Sequence, residues 1–576
     1  MPPGPGDVGA GTAPGEFALV LHTHLPYLKN HGVWPVGEEW LFQAWAASWL
    51  PVTRLLEELA AEGQREVLTL GVTPMVAHQV ADPRLARDLG TWLGGQMWRS
   101  EEQRWHEHLP REVRGLSNFY WQRFAALAAY HDEVQRRGGL LTIWRQLAEQ
   151  GVIELLGGPA THPYLPLQTN PALIDAQLAV GLEHHARWAG ARPTGLWPPE
   201  LGYRPRGRVA DATARPRRTD RFGTPTLPRI GDELPGLEEH YAAHGIDHVL
   251  VDAATLVRAA GGAERDWTAR PAVPRAGTGD LDEVVHDGVA IGNSDVVAYA
   301  RDLSVAYHVW SPTGGYPGNA WYRESYALGS FGCHPSWRVT DHDLPPEAKA
   351  PYEPAAATER IGVDVGHLTG VLHDVLDPRP GELVVAAYDT ELFGHWWFEG
   401  VNFLAGLLRR VAADPGLRTT TLAGRLARRP PPRRLELPES SWGFAKGHAS
   451  WVTDETRPMW RELRGAESRA RQVLAGGRGG PAVREQIARE LALLTASDWP
   501  FMTTRGASPG YAHERIGSHT RAVHELCDLV ESGRTDATAA DALAAIAARD
   551  DAPADVEPLL EALDPVAARP ADQTSR

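Results

Sequence analysis

The sequence predicts an α/β fold, a parallel sheet closed into a barrel and followed by a helical C-terminal domain. Three observations carry that prediction. Short apolar runs end in polar clusters, and these runs alternate with amphipathic helical stretches over nearly 400 residues. Beyond Trp397 the pattern becomes largely helical. A chain of 576 residues corresponds to about four domain equivalents, or to one barrel with insertions and an added domain.

In chain order, residues 1–15 are Pro/Gly-rich and read as a flexible tail. They have neither the basic start nor the apolar centre of a signal peptide. Phe17–Leu21 is a first strand running into His22-Thr23-His24. Leu41, Trp45, Trp49, Val52, Leu56 and Leu59 recur at helical spacing, and Val67–Val72 is a second strand. Residues 82–150 read as a helical insertion rich in charge, with Trp98, Trp105, Trp121 and Trp144. Strand-like runs return at Val152–Leu156, Thr194–Trp197, His248–Val251, Asp295–Ala298 and Leu383–Ala387. Helical stretches such as Pro171–Trp188 and Leu237–His244 separate several of them. The catalytic barrel is expected over 16–400, with mobile loops at about 206–229 and 253–290. A helical domain follows over 401–550, where Val483–Leu494 and Arg521–Leu529 carry the apolar 3/4 pattern. The end, 551–576, is rich in Ala, Pro and Asp and reads as a frayed tail.

Composition narrows the function. Apolar residues at 43% and charged residues at 23% are ordinary for a globular chain. With 73 acidic against 57 basic residues the net charge is −16, which argues against a nucleic-acid partner. Cys333 and Cys527 cannot supply a disulfide framework or a four-cysteine zinc site. No apolar stretch approaches the roughly 18 residues of a membrane span, so no membrane partner is expected and the cytoplasm is the default location. Tryptophan is unusually abundant, at 21 against 14 tyrosines and 11 phenylalanines.

Three polar clusters at strand ends are candidates for chemistry. His22-x-His24 offers either metal ligands or sugar-binding imidazoles; a metal site would need further ligands from later strands. Glu200, after Trp197-Pro198-Pro199, is a carboxylate on a stiff backbone, as a nucleophile requires. The third run is Asp389-Thr390-Glu391-Leu392-Phe393-Gly394-His395-Trp396-Trp397. If it continues a strand, Asp389 and Glu391 share a face, and the pattern does not choose between them as an acid. A Glu and an Asp from different strands fit glycoside chemistry, in which one carboxylate attacks the anomeric carbon and a protonated one serves the leaving oxygen. Tryptophan faces pack on the C–H faces of sugars. No phosphate-binding loop is present, since Gly476–Gly480 lacks a preceding strand.

Four motifs sharpen this: LHTHLPYL, ELLGGPATHPYLPL, GLWPPELGY and AAYDTELFGHWWFEG. In order and content they resemble the motifs of glycoside hydrolase family 57. VAYARD, HVWSPTGGYPGNAWYRESY, PESSWG and SDWPF are similar to its 1,4-α-glucan branching enzyme branch, and the likeness runs from about Phe17 to His524. The resemblance implies an incomplete (β/α)7 barrel with a helical insertion and a helical C-terminal domain closing over the cleft. It implies retaining chemistry on an α-glucan polysaccharide with no cofactor and no metal. By motif position, Glu200 is then the nucleophile and Asp389, rather than Glu391, the general acid/base. His24, His162, Arg301, Trp310, Trp396, Trp442 and Trp499 are the expected substrate-binding residues, whereas Trp45 and Trp49 are expected in the core. The sequence departs from the family at Leu201, where a cysteine is common, and in the length of 206–229. It also lacks any tyrosine in 253–295, where branching enzymes carry one that shields the intermediate; Trp267 is the one large aromatic there. The alternatives are an α-amylase or a 4-α-glucanotransferase on the same scaffold and, more distantly, a metal-dependent amidohydrolase.

Overall fold

Seven parallel strands organise the computed structural model, which describes residues 13–216, 218–219, 225–261, 282–311, 314–325, 333–475 and 477–564. They are β1 (Gly15–Thr23), β2 (Leu68–Val72), β3 (Ile153–Leu156), β4 (Gly195–Leu196), β5 (His248–Val251), β6 (Val297–Ala300) and β7 (Leu383–Asp389). β7, β1, β2 and β3 pair in that order, with Val20 opposite Ala387 and Thr69 and with Leu68 opposite Ile153. β4, β5 and β6 form the other wall, with Gly195 opposite His248 and His248 opposite Val297. Two narrow seams join the walls. Gly157 N–H donates to Gly195 O at 3.0 Å and Gly157 O accepts from Trp197 N–H at 3.0 Å. On the far side Asp302 N–H donates to Val385 O at 2.7 Å, beyond the end of β6. The barrel is therefore an incomplete (β/α)7 barrel, closed by isolated bonds at both seams rather than by full ladders.

The apolar runs form strands because both faces are covered. Ala18, Val20, Leu156, Leu250, Val297, Val385 and Ala387 fill the barrel, while Phe17, Leu19, Leu21, Val384 and Ala386 pack outward on helices. At the bottom of the barrel Glu154 on β3 accepts from His248 Nε2 at 2.6 Å and from Thr69 Oγ1 at 2.8 Å. Gly195 lies beside His248 in register on the neighbouring strand, where a Cβ would stand 2.1 Å from His248 Nε2. A glycine is the residue that lets β4 pass there.

The helical insertion comprises Pro83–Trp105, Arg111–Gly115, Ser117–Arg136 and Leu140–Glu149. Trp45 and Trp49 are buried in the core beside it, on a π-helical turn between Glu38–Ala44 and Leu50–Ala61.

Several boundaries differ from the sequence reading. β6 begins two residues late, because Gly292 and Asn293 turn the chain back from the antiparallel strand Val289–Ile291 and Ser294–Val296 lead into β6. The segment expected as a mobile loop at 206–229 contains Gly207–Ala210, which pairs antiparallel with Arg229–Leu234. In the loop expected at 253–290, Ala253–Ala259 is a helix capped by Asp252, and Trp267 lies outside the described residues. The barrel also continues past 400: Leu417–Thr419 pairs with β1 and Arg434–Leu435 with Val289–Ile291. Helices Arg457–Leu474, Pro481–Leu494, Asp498–Arg505 and Pro509–Ser532 form the core of the C-terminal domain. The expected tail from 551 is packed through residue 564. Ala552, Val556, Leu559 and Leu563 are buried, and Glu557–Leu563 lies against Pro171–Ala189. Among the described residues no helix is long and apolar enough to cross a membrane.

Candidate active site

The C-terminal ends of the strands converge on one cleft. His22 and His24 leave β1, Thr73 follows β2, and His162 lies on the loop after β3. Glu200 follows β4, Arg301 directly follows β6, and Asp389 ends β7. Pro198 and Pro199 fix the approach to Glu200, which sits in the left-handed region at φ 63° and ψ 20°, followed by Leu201 at φ 48°. Non-glycine residues held there are strained by about 1 kcal/mol or more, so the surrounding bonds must over-determine the turn.

Those bonds are present. Ser497 Oγ donates to Glu200 Oε1 at 2.8 Å, Trp442 Nε1 donates to Oε2 at 2.7 Å, and Trp442 N–H donates to Glu200 O at 3.0 Å. Burial pushes the Glu200 carboxyl above its ordinary range, and these two side-chain donors pull it back. Both oxygens are held as a fixed acceptor.

Asp389 is different. Its carboxyl is partly open to the cleft, and no hydrogen bond from the described residues reaches it. Burial and the negative charge of Glu200 push it up to about 7, against the opposing pull of His24 and Arg301. One carboxylate is thus clamped and the other left protonated near neutrality.

Glu391 does not share a face with Asp389. β7 stops at Asp389, and Thr390–Leu392 is a 3₁₀ turn that sends Glu391 inward to accept from Trp49 Nε1 at 2.6 Å. Burial, with Asp389 nearby, raises its pKa far above the usual range.

His24 and His162 stack with ring centroids 3.7 Å apart, and His162 takes φ 56°. His24 Nε2 lies 3.2 Å from both oxygens of Asp498, and Nδ1 lies 3.2 Å from Thr73 Oγ1. Burial alone would lower the pKa of His24, but Asp498, with Glu200 and Asp389, raises it. His162 and His22 are pushed well below the ordinary value by burial and by the neighbouring imidazoles. His22 lies flat on Trp197, 4.3 Å away and 6° from parallel. Nitrogens of His22, His24 and His162 come within 4.8 Å of one another, close enough to invite a divalent ion. The rings stack on one another, and both nitrogens of His24 are engaged by Thr73 and Asp498, which leaves that ring no free lone pair for a metal in this arrangement.

Of the other expected residues, Arg301 is buried and ion-paired with Asp252 at 2.9 Å, and its guanidinium lies 5.5 Å from the Trp442 ring. Trp310 donates to Ala387 O at 3.1 Å and meets Trp442 edge-on at 5.9 Å. Trp396 follows on the loop beyond Asp389 and is 43% exposed. Trp499 corrects the sequence reading. It is fully buried in the helical domain, bonded to Leu493 O and covered by Arg515, so no face of its ring is open to sugar.

The two residues before Trp499, Ser497 and Asp498, are the contribution of that domain to the cleft, and they were missed. The signal lay in the SDWPF run, whose polar pair opens a helix at the barrel mouth. Lys446 was missed as well; it shares Asp252 with Arg301, at 3.1 Å, from a turn in which Ala445 and Lys446 are both left-handed.

Known proteins resemble this chain along most of its length. Residues 18–273 match the model of glycosyl hydrolase family 57, and residues 468–557 match that of the 1,4-alpha-glucan branching enzyme C-terminal region. The chain is 34% identical over 558 residues to a probable 1,4-alpha-glucan branching enzyme of Mycobacterium tuberculosis, covering 92% of this chain and 95% of that one. It is 30% identical over 525 residues to a 1,4-alpha-glucan branching enzyme of Thermococcus kodakarensis, covering 89% and 73%. In three dimensions it is similar to the crystal structure of a branching enzyme of this family from Pyrococcus horikoshii. The TM-score is 0.83 at 31% identity, covering 95% of this chain and 97% of that one.

Proposed function

The chain belongs to glycosyl hydrolase family 57, and on that premise we propose that Glu200 and Asp389 are the nucleophile and the general acid/base of a 1,4-α-glucan branching enzyme. The observation that carries the assignment is the asymmetry of the pair. Glu200 is fixed by Ser497 and Trp442, while Asp389 is unpartnered and raised to about 7.

Glu200 attacks the anomeric carbon as the bond to the departing O4 breaks, and the proton of Asp389 passes to that oxygen. A glycosyl ester on Glu200 results, with retention after the second step. Asp389, now ionised, takes the proton of an incoming 6-hydroxyl as its oxygen displaces Glu200, which makes an α-1,6 branch. His24, held by Thr73 and Asp498 through its two ring nitrogens, places its ring and a raised pKa beside the cleaved bond. Arg301, Trp310, Trp396 and Trp442 supply the charged and aromatic walls, and His162 supports His24 through ring stacking.

The substrate is an α-glucan, and a cytoplasmic, glycogen-like polymer fits a chain with two cysteines and strong acidity. Incubation with amylose tests the activity. Side chains released by a debranching enzyme should exceed new reducing ends. Reducing ends without branches would identify an α-amylase instead.

A further inference from the structure

The helix Pro83–Trp105 exposes more indole than packing explains. Trp98 and Trp105 are 65% and 75% exposed, seven residues apart on a helix. That spacing falls about 20° short of two turns, so both rings stand on one face, about 10.5 Å apart along the axis. Gly94 and Gly95 continue this face one turn earlier, and no atom lies within 4 Å of the Cβ either would carry. Glycine weakens a helix interior and here relieves no crowding, so its effect is to leave the strip bare. Glu102, also exposed, stands between the two indoles. Beside Trp105 opens a cleft of about 540 Å³ lined by Glu102, His106, Glu107 and His108 among others. None of the residues of the catalytic site lines it.

We infer that this strip is a second α-glucan binding site, a platform that holds a neutral glucan chain away from the point of cleavage. Several features select that occupant. Separated indole faces with carboxylates and imidazoles between them offer stacking for sugar C–H faces and partners for hydroxyls. The exposed, charged Glu102 separates the two indoles, which therefore do not merge into one apolar patch of the kind a protein partner would require. Glu101 pairs with Arg104 at 3.7 Å, and with Arg99, Glu102 and Glu107 the strip has no excess of positive charge to draw an anionic polymer or an acidic lipid surface. An uncharged polymer needs none. Tethering one glucan at two places raises the local concentration of donor and acceptor chains at the catalytic cleft. The choice of glucan as occupant rests on the proposed function; the platform itself rests on the indoles and the bare helix face.

Affinity electrophoresis through glycogen-containing gels tests it, using the full chain, Glu200→Gln, and the double variant Trp98→Ala/Trp105→Ala. The parent and Glu200→Gln should be retarded equally. The double variant should bind glycogen roughly tenfold more weakly, as expected for loss of two stacking contacts. Its turnover of short maltooligosaccharides should match the parent, which also shows that it is folded. Retardation of the double variant equal to the parent overturns the inference. So does a parent dimer in sedimentation that the double substitution dissociates, since the strip would then be a subunit interface. Failure of the parent to branch amylose, measured separately, would count against the proposed function whatever the gel shows.

Discussion

Trp442 binds Glu200 twice, by its indole N–H to Oε2 at 2.7 Å and by its backbone N–H to the carbonyl at 3.0 Å. One residue therefore fixes both the carboxylate and the left-handed turn that presents it. Trp442→Phe keeps an aromatic face and the backbone bond but removes the indole donor. A hydrogen bond to a charged group contributes about 1.5–3 kcal/mol, so kcat should fall roughly tenfold to a hundredfold. KM should change little. Because that donor lowers the pKa of Glu200, its loss should move the acidic limb of the pH–rate profile to higher pH.

Asp389 sets the alkaline limb. With its carboxyl raised to about 7, kcat/KM should decline above neutrality as the acid loses its proton. Asp389→Asn should lower activity on amylose by about a thousandfold or more and abolish that limb. Stability carries an independent sign. The folded chain keeps this proton between the ordinary value of 3.8 and about 7, whereas the unfolded chain releases it near 3.8, so the contribution to stability falls as pH rises through that window. Asp389→Asn should therefore raise the thermal midpoint at pH 8 relative to the parent, with little difference at pH 4.

Asp498 raises the pKa of His24. Asp498→Asn removes the principal cause of the raised pKa while leaving an oxygen and an amide of the same size. The imidazole should then titrate at lower pH, read by NMR of selectively labelled histidine, and kcat/KM at neutral pH should drop about tenfold. An unchanged titration would show that Asp498 does not govern His24.

Gly195 tests the packing beneath the nucleophile. A Cβ there would stand 2.1 Å from His248 Nε2 and 2.4 Å from Leu156 Cδ2. Both neighbours sit on barrel strands and cannot withdraw. Gly195→Ala should cost about 2–3 kcal/mol of stability, read from the denaturation midpoint, and should disturb the Glu154–His248 pair.

All seven barrel strands were legible as short apolar runs, three of which end in polar clusters. Glu200 was legible as a strand-end carboxylate, whereas Asp389 was set apart from Glu391 only by the family resemblance. Local pattern failed where tertiary contacts decide. Trp499 sits in a site motif, yet the helical domain buries its ring and sends its two predecessors into the cleft. Glu391 obeys strand alternation only if the strand continues, and a 3₁₀ turn ends it at Asp389. Residues 552–564 have the composition of a frayed end, but Leu559 and Leu563 find a groove against Pro171–Ala189 that no local signal announces. The short pairings at Gly207–Ala210 and Leu417–Thr419 likewise depend on partners distant in sequence.

Trapping the covalent intermediate tests the nucleophile most directly. An α-glucosyl fluoride donor needs no acid to expel its leaving group, so Asp389→Ala should form the glycosyl ester but lack the base to discharge it. Intact mass should rise by one glycosyl unit, and peptide mapping should place the adduct on Glu200. An adduct on another residue, or full turnover by Glu200→Gln, would contradict the assignment.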